Sequence, residues 1–388
     1  MTCKRGVWAL LILGCGAPAA SEPAPTSSSG SSESVEPRVE ASEAREAAVP
    51  TEPSTEATAE AAPAPTEEPA VEAIHDPGVP LPEAARQALS ALPSERIDAP
   101  DQFYYRSNER RHDLIAGDLA GRGGAVIGVG ADQVYTLAAM AGSSLIVAVD
   151  YDNRIPLMHD IYQVLVPRSE TADALIAHFE ETQERATRTL LEEAYEGAQE
   201  RRVVRVFRRI RGEMHRYLGR VKERSRAGQP GSWLADPALY AHVRQLFVNG
   251  RVFARTGDVT GTTTLRSVGQ TLRELGVPVR IVYFSNAEQF FAYTPDFRAN
   301  MEALPTDGRT LVVRTIRHAR IPNADDDRWH YVVQDFVDFG ERLALGVYGR
   351  STILLEDLAQ AGAPFIGDGV SHMTTELPRF AAERRANR

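Results

Sequence analysis

Cysteine is almost missing from this chain: Cys3 and Cys15 are the only two in 388 residues. That excludes a disulfide-stapled scaffold and a zinc site built on paired cysteines. Long apolar runs are missing as well. The compact run Val7–Leu13 falls far short of the about 20 residues that span a bilayer. Positive charge is not in excess, with 43 Lys+Arg against 53 Asp+Glu, which disfavours a globally basic nucleic-acid binder. Residues 17–72 hold no aromatic side chain and are almost wholly Ala, Pro, Ser, Thr and Glu. Such a stretch cannot bury enough apolar area to offset its conformational entropy, and its like charges extend it. Residues 16–78 carry a net charge of −11, whereas residues 79–388 carry −1. The acidity belongs to a tether. The remainder is nearly neutral and long enough for one large α/β domain or two small ones. A Gly-x-Ser-x-Gly elbow, a His-Glu-x-x-His helix and a Walker loop are all absent, and no metal is expected.

The N-terminus carries the first positive signal. Lys4 and Arg5 precede the apolar run, which ends in Ile12-Leu13-Gly14-Cys15. This arrangement resembles the bacterial lipobox. The resemblance implies a signal peptide over residues 1–14, cleavage after Gly14 and lipidation of Cys15, the alternatives being an ordinary secretory signal or a cytosolic protein with an apolar N-terminus. Acyl chains anchor a protein at roughly 0.8 kcal/mol per buried methylene, without a membrane-spanning helix. Residues 15–78 then read as a disordered tether, ending at the turn Asp76-Pro77-Gly78. The expected location is the bacterial cell envelope, exported and lipid-anchored.

From residue 79 the pattern is that of alternating strands and helices. Ala125–Ile127 is a short buried strand, Gly128–Asp132 a glycine turn, Gln133–Ala141 a helix and Ser144–Val149 a second strand ending at Asp150. That is a βαβ unit, so the two strands should be parallel. Residues 157–226 read as a helical insertion. In its basic part Val203, Phe207, Ile210, Met214, Tyr217 and Val221 recur at helical spacing, and residues 201–226 hold eleven Arg/Lys. That basic face is either solvated beside the sheet or a membrane- or anion-binding surface. Strands follow near 252–254, 278–284, 310–314 and 329–336, with helices over 262–275 and before Pro305. Beyond Ala361 the pattern weakens, and residues 384–388 read as a frayed tail.

Ligands in open parallel sheets sit outside the carboxyl ends of the strands. Four punctuated loops occupy such positions: Gly128–Asp132, Asp150–Asp152, Gly257–Gly261 and Ser285–Gln289. Gly128 and Gly130 admit a ligand close to the backbone, and Asp150, at the end of the next strand, is placed to accept ribose hydroxyls. Asp132 is equally well read as a helix cap, and Asp150 as a turn residue. Ser285-Asn286-Ala287-Glu288 fits a capping box as well as a ligand loop, and Asp258 has the same duality. His112-Asp113 and His159-Asp160 read as hydrogen-bonding pairs rather than ligands.

The glycine loop and strand-end acid are shared by nicotinamide enzymes and by class I S-adenosylmethionine methyltransferases. The loop resembles the latter better, because Gln133 stands where the dinucleotide fingerprint has its third glycine. Ser107-Asn108-Glu109, the GVGADQ loop, Asp150, the GDVTG loop and Phe284–Gln289 together resemble a family of uncharacterised bacterial proteins carrying GVGxDQ, GDxxG and SNxEQ blocks. The resemblance covers about residues 100–315. It implies a mostly parallel Rossmann-like, methyltransferase-like sheet flanked by helices, over residues 79–388. It further implies S-adenosylmethionine or a related nucleoside held by Gly128, Gly130, Asp132, Gln133, Asp150 and Tyr151, with Asp258, Ser285, Asn286 and Glu288 facing an acceptor. Export argues otherwise, since S-adenosylmethionine is made in the cytosol. The second reading is therefore a non-catalytic envelope protein that binds a ligand or partner in the same cleft, with no nucleic acid as partner.

Overall fold

The computed structural model describes residues 68–98 and 100–388. The expected signal segment, Cys15 and most of the expected tether lie outside the described residues. The first described element is helix α1 (Glu68–His75), which lies within the expected tether and is held against the domain. A charge buried from the far side of the fold is the cause. Arg251, 0% exposed, donates to the carbonyls of Ala73 (2.6 Å) and Ile74 (2.7 Å), and also to those of Val79 (3.0 Å) and Ser144 (3.2 Å). The carbonyls at the end of a helix have no partners within it, and a guanidinium supplies both the donors and the opposite charge. Helix α2 (Glu83–Ser90) follows, burying Ala85 and Leu89. Residues 92–111 then run without regular structure up to a 3-10 turn (His112–Ile115) and the short helix α3 (Ala116–Leu119).

The core is one mostly parallel sheet flanked by helices. Strand β1 (Ala125–Gly128) leads through helix α4 (Gln133–Ala141) to β2 (Leu145–Asp150). The two strands pair in parallel from Ala125↔Leu145 to Gly128↔Ala148, as the βαβ pattern predicts. The crossover from β2 is long. It contains α5 (Ile155–Arg168), α6 (Ala172–Ala177), α7 (Glu184–Ala194), α8 (Gly197–Lys222), the small hairpin β3 (Ser225–Arg226) with β4 (Gln229–Pro230), and α9 (Pro237–Val248). The expected helical insertion is thus a set of separate helices. Thr171 accepts the Ala174 N–H at the start of α6, and Asp236 caps α9. Helix α8 buries Val203, Phe207, Ile210, Met214, Tyr217 and Val221, the face its spacing predicts.

After β5 (Val252–Thr256) come α10 (Thr264–Glu274), β6 (Val279–Ser285), a 3-10 turn (Ala287–Phe290), α11 (Pro295–Ala303) and β7 (Leu311–Ile316). The chain closes with β8 (His330–Asp335), α12 (Phe336–Ala344), α13 (Ser351–Ala361), β9 (Val370–Met373) and α14 (Phe380–Ala386). Sheet order is β5-β2-β1-β6-β7-β8-β9. Strands β5 to β7 are mutually parallel, β8 runs antiparallel to β7, and β9 is parallel to β8. The five parallel strands follow the doubly wound order 3-2-1-4-5, whose switch point lies between β1 and its neighbours. Helix α14 lies where a frayed tail is expected. The Ala381 N–H donates to Asp357 (2.9 Å), whose carboxylate also meets the buried Arg342 (2.9 Å). Among the described residues no helix is long and apolar enough to cross a membrane.

Replacing Arg251 by Met leaves its four carbonyls without donors. It should lower unfolding stability by about 3 kcal/mol, and a chain starting at residue 79 should lose stability as well. Urea denaturation of both against the full chain checks this. An unchanged midpoint in either would show that α1 is not held by Arg251.

Candidate functional site

The carboxyl ends of β5, β2, β1 and β6 lie side by side, and residues 92–111 cross them like a strap. At one end the Glu95 N–H donates to the Thr256 carbonyl (2.9 Å). Its carboxylate accepts the N–H groups of Asp258 (2.8 Å), Thr264 (3.1 Å) and Thr263 (3.3 Å). Glu95 therefore caps α10 from outside the helix, in the position expected for Asp258. Asp258 instead takes the N–H and hydroxyl of Thr260 within its own loop (2.8 and 2.7 Å). Gly261 serves this arrangement, since a Cβ there would lie 2.8 Å from the Glu95 carboxylate. Further along, Asn153 donates to the Ile97 carbonyl (2.8 Å), and Arg154 to that of Pro100 (2.7 Å).

The glycine loop is locked from two sides. Gly128 is required by packing, because a Cβ would lie 2.6 Å from Val134 and 3.2 Å from Tyr283. Gly130 has φ +84°, and its N–H donates to Asp150 (2.7 Å), whose other oxygen accepts the Asp152 N–H (2.8 Å). Asp150 thus joins the loops after β1 and β2, and burial pushes its carboxyl up to about 6. Asp132 and Gln133 point the other way, under α8. Asp132 accepts from the Tyr217 hydroxyl (2.9 Å) and from the Gln133 amide (3.1 Å). Asp132 stands at the N-cap position of α4 but makes no side-chain capping bond. Burial pushes its carboxyl up, against the pull of Arg224 and Tyr217. His159 meets the Gly130 carbonyl through Nε2 (3.2 Å) and the Tyr135 hydroxyl through Nδ1. Burial takes its pKa down to about 4, so it is a neutral structural ring.

The expected capping box at Ser285–Glu288 does not form. Ser285 adopts φ +51°, and its hydroxyl donates to Glu109, as do those of Tyr283 and Thr315 (the last at 2.7 Å). Glu109 is 1% exposed. Burial pushes its carboxyl up, but His112, Ser285 and Tyr283 outweigh that and hold it below its ordinary value. Glu288 belongs to a second buried network, paired with Arg314 and accepting from the Tyr293 hydroxyl (2.8 Å). Asn286 only opens the 3-10 turn, with no side-chain cap bond. The residue missed as a functional candidate is Glu109. Its signal was the Ser107-Asn108-Glu109 block, which packs against the very loop whose Ser-Asn sequence it echoes.

One crevice of about 540 Å³ remains open at the carboxyl ends of β2 and β5, walled by Glu95, Asp98, Tyr151, Asp258 and Thr262. Of the ten expected ligand and acceptor residues, Tyr151 and Asp258 line it; Asp150 adjoins it through the chain. Gly128, Gly130, Asp132, Gln133, Ser285, Asn286 and Glu288 are not in its wall. The Tyr151 ring is 52% exposed. Among the described residues no group of three or more His, Cys, Asp or Glu is placed to hold a metal.

The raised Asp150 value has a defined sign. Its folded pKa of about 6 lies above the ordinary 3.8, so the folded state holds a proton that the unfolded chain releases. Stability from this group therefore grows as pH falls from about 7 and levels off near about 4. Asp150→Asn should remove that slope in urea titrations at several pH values. A wild-type–variant difference that stays flat with pH would contradict the buried Asp150 environment.

Comparison with known proteins adds a family and one distant structure. Residues 104–373 match the family described as Domain of unknown function (DUF7790). The rRNA methyltransferase aviRa from Streptomyces viridochromogenes is similar over 62% of this chain and 86% of its own, at 13% identity and a TM-score of 0.26. No curated protein matches. The chain belongs to the DUF7790 family.

Proposed function

We propose that this is an exported, lipid-anchored protein whose domain binds a phosphate-free nucleoside-type molecule, S-adenosylmethionine or a relative, without catalysing a reaction on it. The crevice at the carboxyl ends of β2 and β5 carries this reading, because ligands of open parallel sheets sit outside the carboxyl ends of the strands. Its chemistry fits the class. The exposed Tyr151 ring offers a stacking face for a base. Glu95, Asp98 and Asp258 face Arg96 alone as opposite charge in the wall, which repels phosphates and suits a neutral ribose or a cationic sulfonium.

Ser285 and Glu288, the groups expected to act on an acceptor, are bonded inside the fold. This supports binding without transfer, as does the lipobox-like Ile12-Leu13-Gly14-Cys15, since the cofactor is cytosolic. Methyl transfer needs chiefly positioning of donor and acceptor, and the crevice presents no second buried wall to position one.

Calorimetric titration of S-adenosylmethionine, S-adenosylhomocysteine and adenosine into the full chain should give saturable binding. Tyr151→Ala should weaken it by about tenfold or more, the worth of one lost stacking face. Absence of heat and of any thermal shift with all three, in protein folded by circular dichroism, would retire the reading. The anchor has its own test. In a bacterial host, labelled palmitate should enter the chain and vanish with Cys15→Ser. Labelling that persists in that variant, or is missing from the wild type, rejects a lipid at Cys15.

A further inference from the structure

The basic face of α8 ends in a concave site that the proposed crevice does not use. A groove of about 1210 Å³ lies between the carboxyl end of α8, the β3–β4 hairpin, residues 106–113 of the strap and the loop at 326–328. Its wall holds eight arginines, no lysine and three carboxylates. Within the wall Arg111 is paired with Asp113 (2.9 Å) and Arg226 with Asp326, and Arg106 pairs with Glu213 (3.1 Å) outside it; the third wall carboxylate, Glu223, has no cation within 4.0 Å among the described residues. Among the described residues the other five, Arg110, Arg216, Arg220, Arg224 and Arg328, have no carboxylate within 4.0 Å.

Five unpaired guanidiniums facing one hollow repel each other, and low walls focus their field. A solvated helix face would spread such charge outward. Here four separate segments bring it together. An arginine guanidinium is a planar, two-pronged donor that matches carboxylate or phosphate oxygens. Arg216 and Arg220 stand one turn apart on α8, about 6 Å along its axis, and both are exposed. Arg224 lies deeper, with its guanidinium 5.7 Å from the Tyr217 ring. Of the two rings in the wall, Tyr217 is 2% exposed and only the lone His215 imidazole reaches solvent, so the groove has no run of aromatic platforms on which successive nucleic-acid bases would stack. Its concavity suits a molecule that enters rather than a flat bilayer.

We propose that this groove binds a small anion bearing two or more phosphate groups. Arg216, Arg220 and Arg224 hold it from α8 and its end, with Arg110 and Arg328 closing the opposite side. The site is separate from the nucleoside crevice, and failure of either leaves the other standing.

The test is calorimetric titration of inorganic tripolyphosphate into the full chain at low salt and at about 0.5 M salt. One saturable site is expected, weakened steeply by salt. The pair R216E/R220E should lose about a hundredfold in affinity through removal of two charge-assisted contacts, and R216K/R220K should recover part of it. R201E/R205E changes net charge equally on exposed positions of the same helix outside the groove, and should stay within about twofold of wild type. Melting temperatures of all variants control for folding. Three outcomes overturn the proposal. They are no saturable binding at low salt, equal loss in the R201E/R205E pair, and tighter association with phosphatidylglycerol vesicles or a duplex oligonucleotide than with tripolyphosphate at matched phosphate. The vesicle result would reassign the phosphate to lipid headgroups, and the duplex result to nucleic acid.

Discussion

A carboxylate taken almost wholly out of water must find a donor for each lone pair, or the fold carries a large desolvation cost. Glu109 meets that requirement from two strands at the centre of the sheet, through the hydroxyls of Tyr283 and Ser285 on β6 and Thr315 on β7. His112 Nε2 lies 3.3 Å away on the turn that follows. The geometry leaves little freedom. Ser285 takes a left-handed backbone conformation, φ +51°, and its hydroxyl is spent on Glu109. With Glu109 fixed at one end and Glu95 capping α10 at the other, residues 95–109 have a set path across the strand ends. The open crevice lies beside the Glu95 end of that path, and the arginine groove beside the Glu109 end.

The second constraint is the glycine loop, a feature that in sequence reads as a ligand cradle. Each of its polar handles has an internal partner. The Gly130 N–H is taken by Asp150, and Asp132 and Gln133 by Tyr217. Tyr217 sits on α8, so the long crossover from β2 to β5 is docked onto the loop by a buried hydroxyl rather than by apolar contact alone. Buried polar groups of this kind fix one arrangement where apolar packing tolerates several.

Local patterns in the sequence predict local structure well. Helix α4 spans Gln133–Ala141 as its run of apolar residues after the glycine turn indicates, and the buried face of α8 follows its 3.6-residue spacing. What escapes sequence reasoning is set by partners far away in the chain. Helix α1 lies in an Ala- and Glu-rich stretch in which Ile74 is buried, and is held by a guanidinium 177 residues on. Strand β9 has four residues, pairing with β8 and, through Ser371, in an isolated bridge with Ile366. Ser285 and Glu288 have the spacing of a capping box, yet the Ser285 partner lies 176 residues away. At these positions a buried long-range ion or hydrogen bond outweighs a local cap worth about 1 kcal/mol.

The near-neutral charge of residues 79–388 conceals two concavities of opposite sign. Glu95, Asp98 and Asp258 line the crevice, and unpaired arginines line the groove. A molecule with both a nucleoside and a phosphate chain would suit neither alone, because the acids of the crevice repel its phosphates and the buried Tyr217 ring offers its base no face in the groove. The two sites therefore select different molecules. The glycine loop links them nonetheless. Tyr151, next to Asp150, lines the crevice, Asp150 holds Gly130, and Asp132 in the same loop holds Tyr217, whose ring faces Arg224 in the groove. Burial raises the pKa of both Asp150 and Asp132, so the loop between the sites is anchored at each end by a carboxyl group whose charge its surroundings oppose.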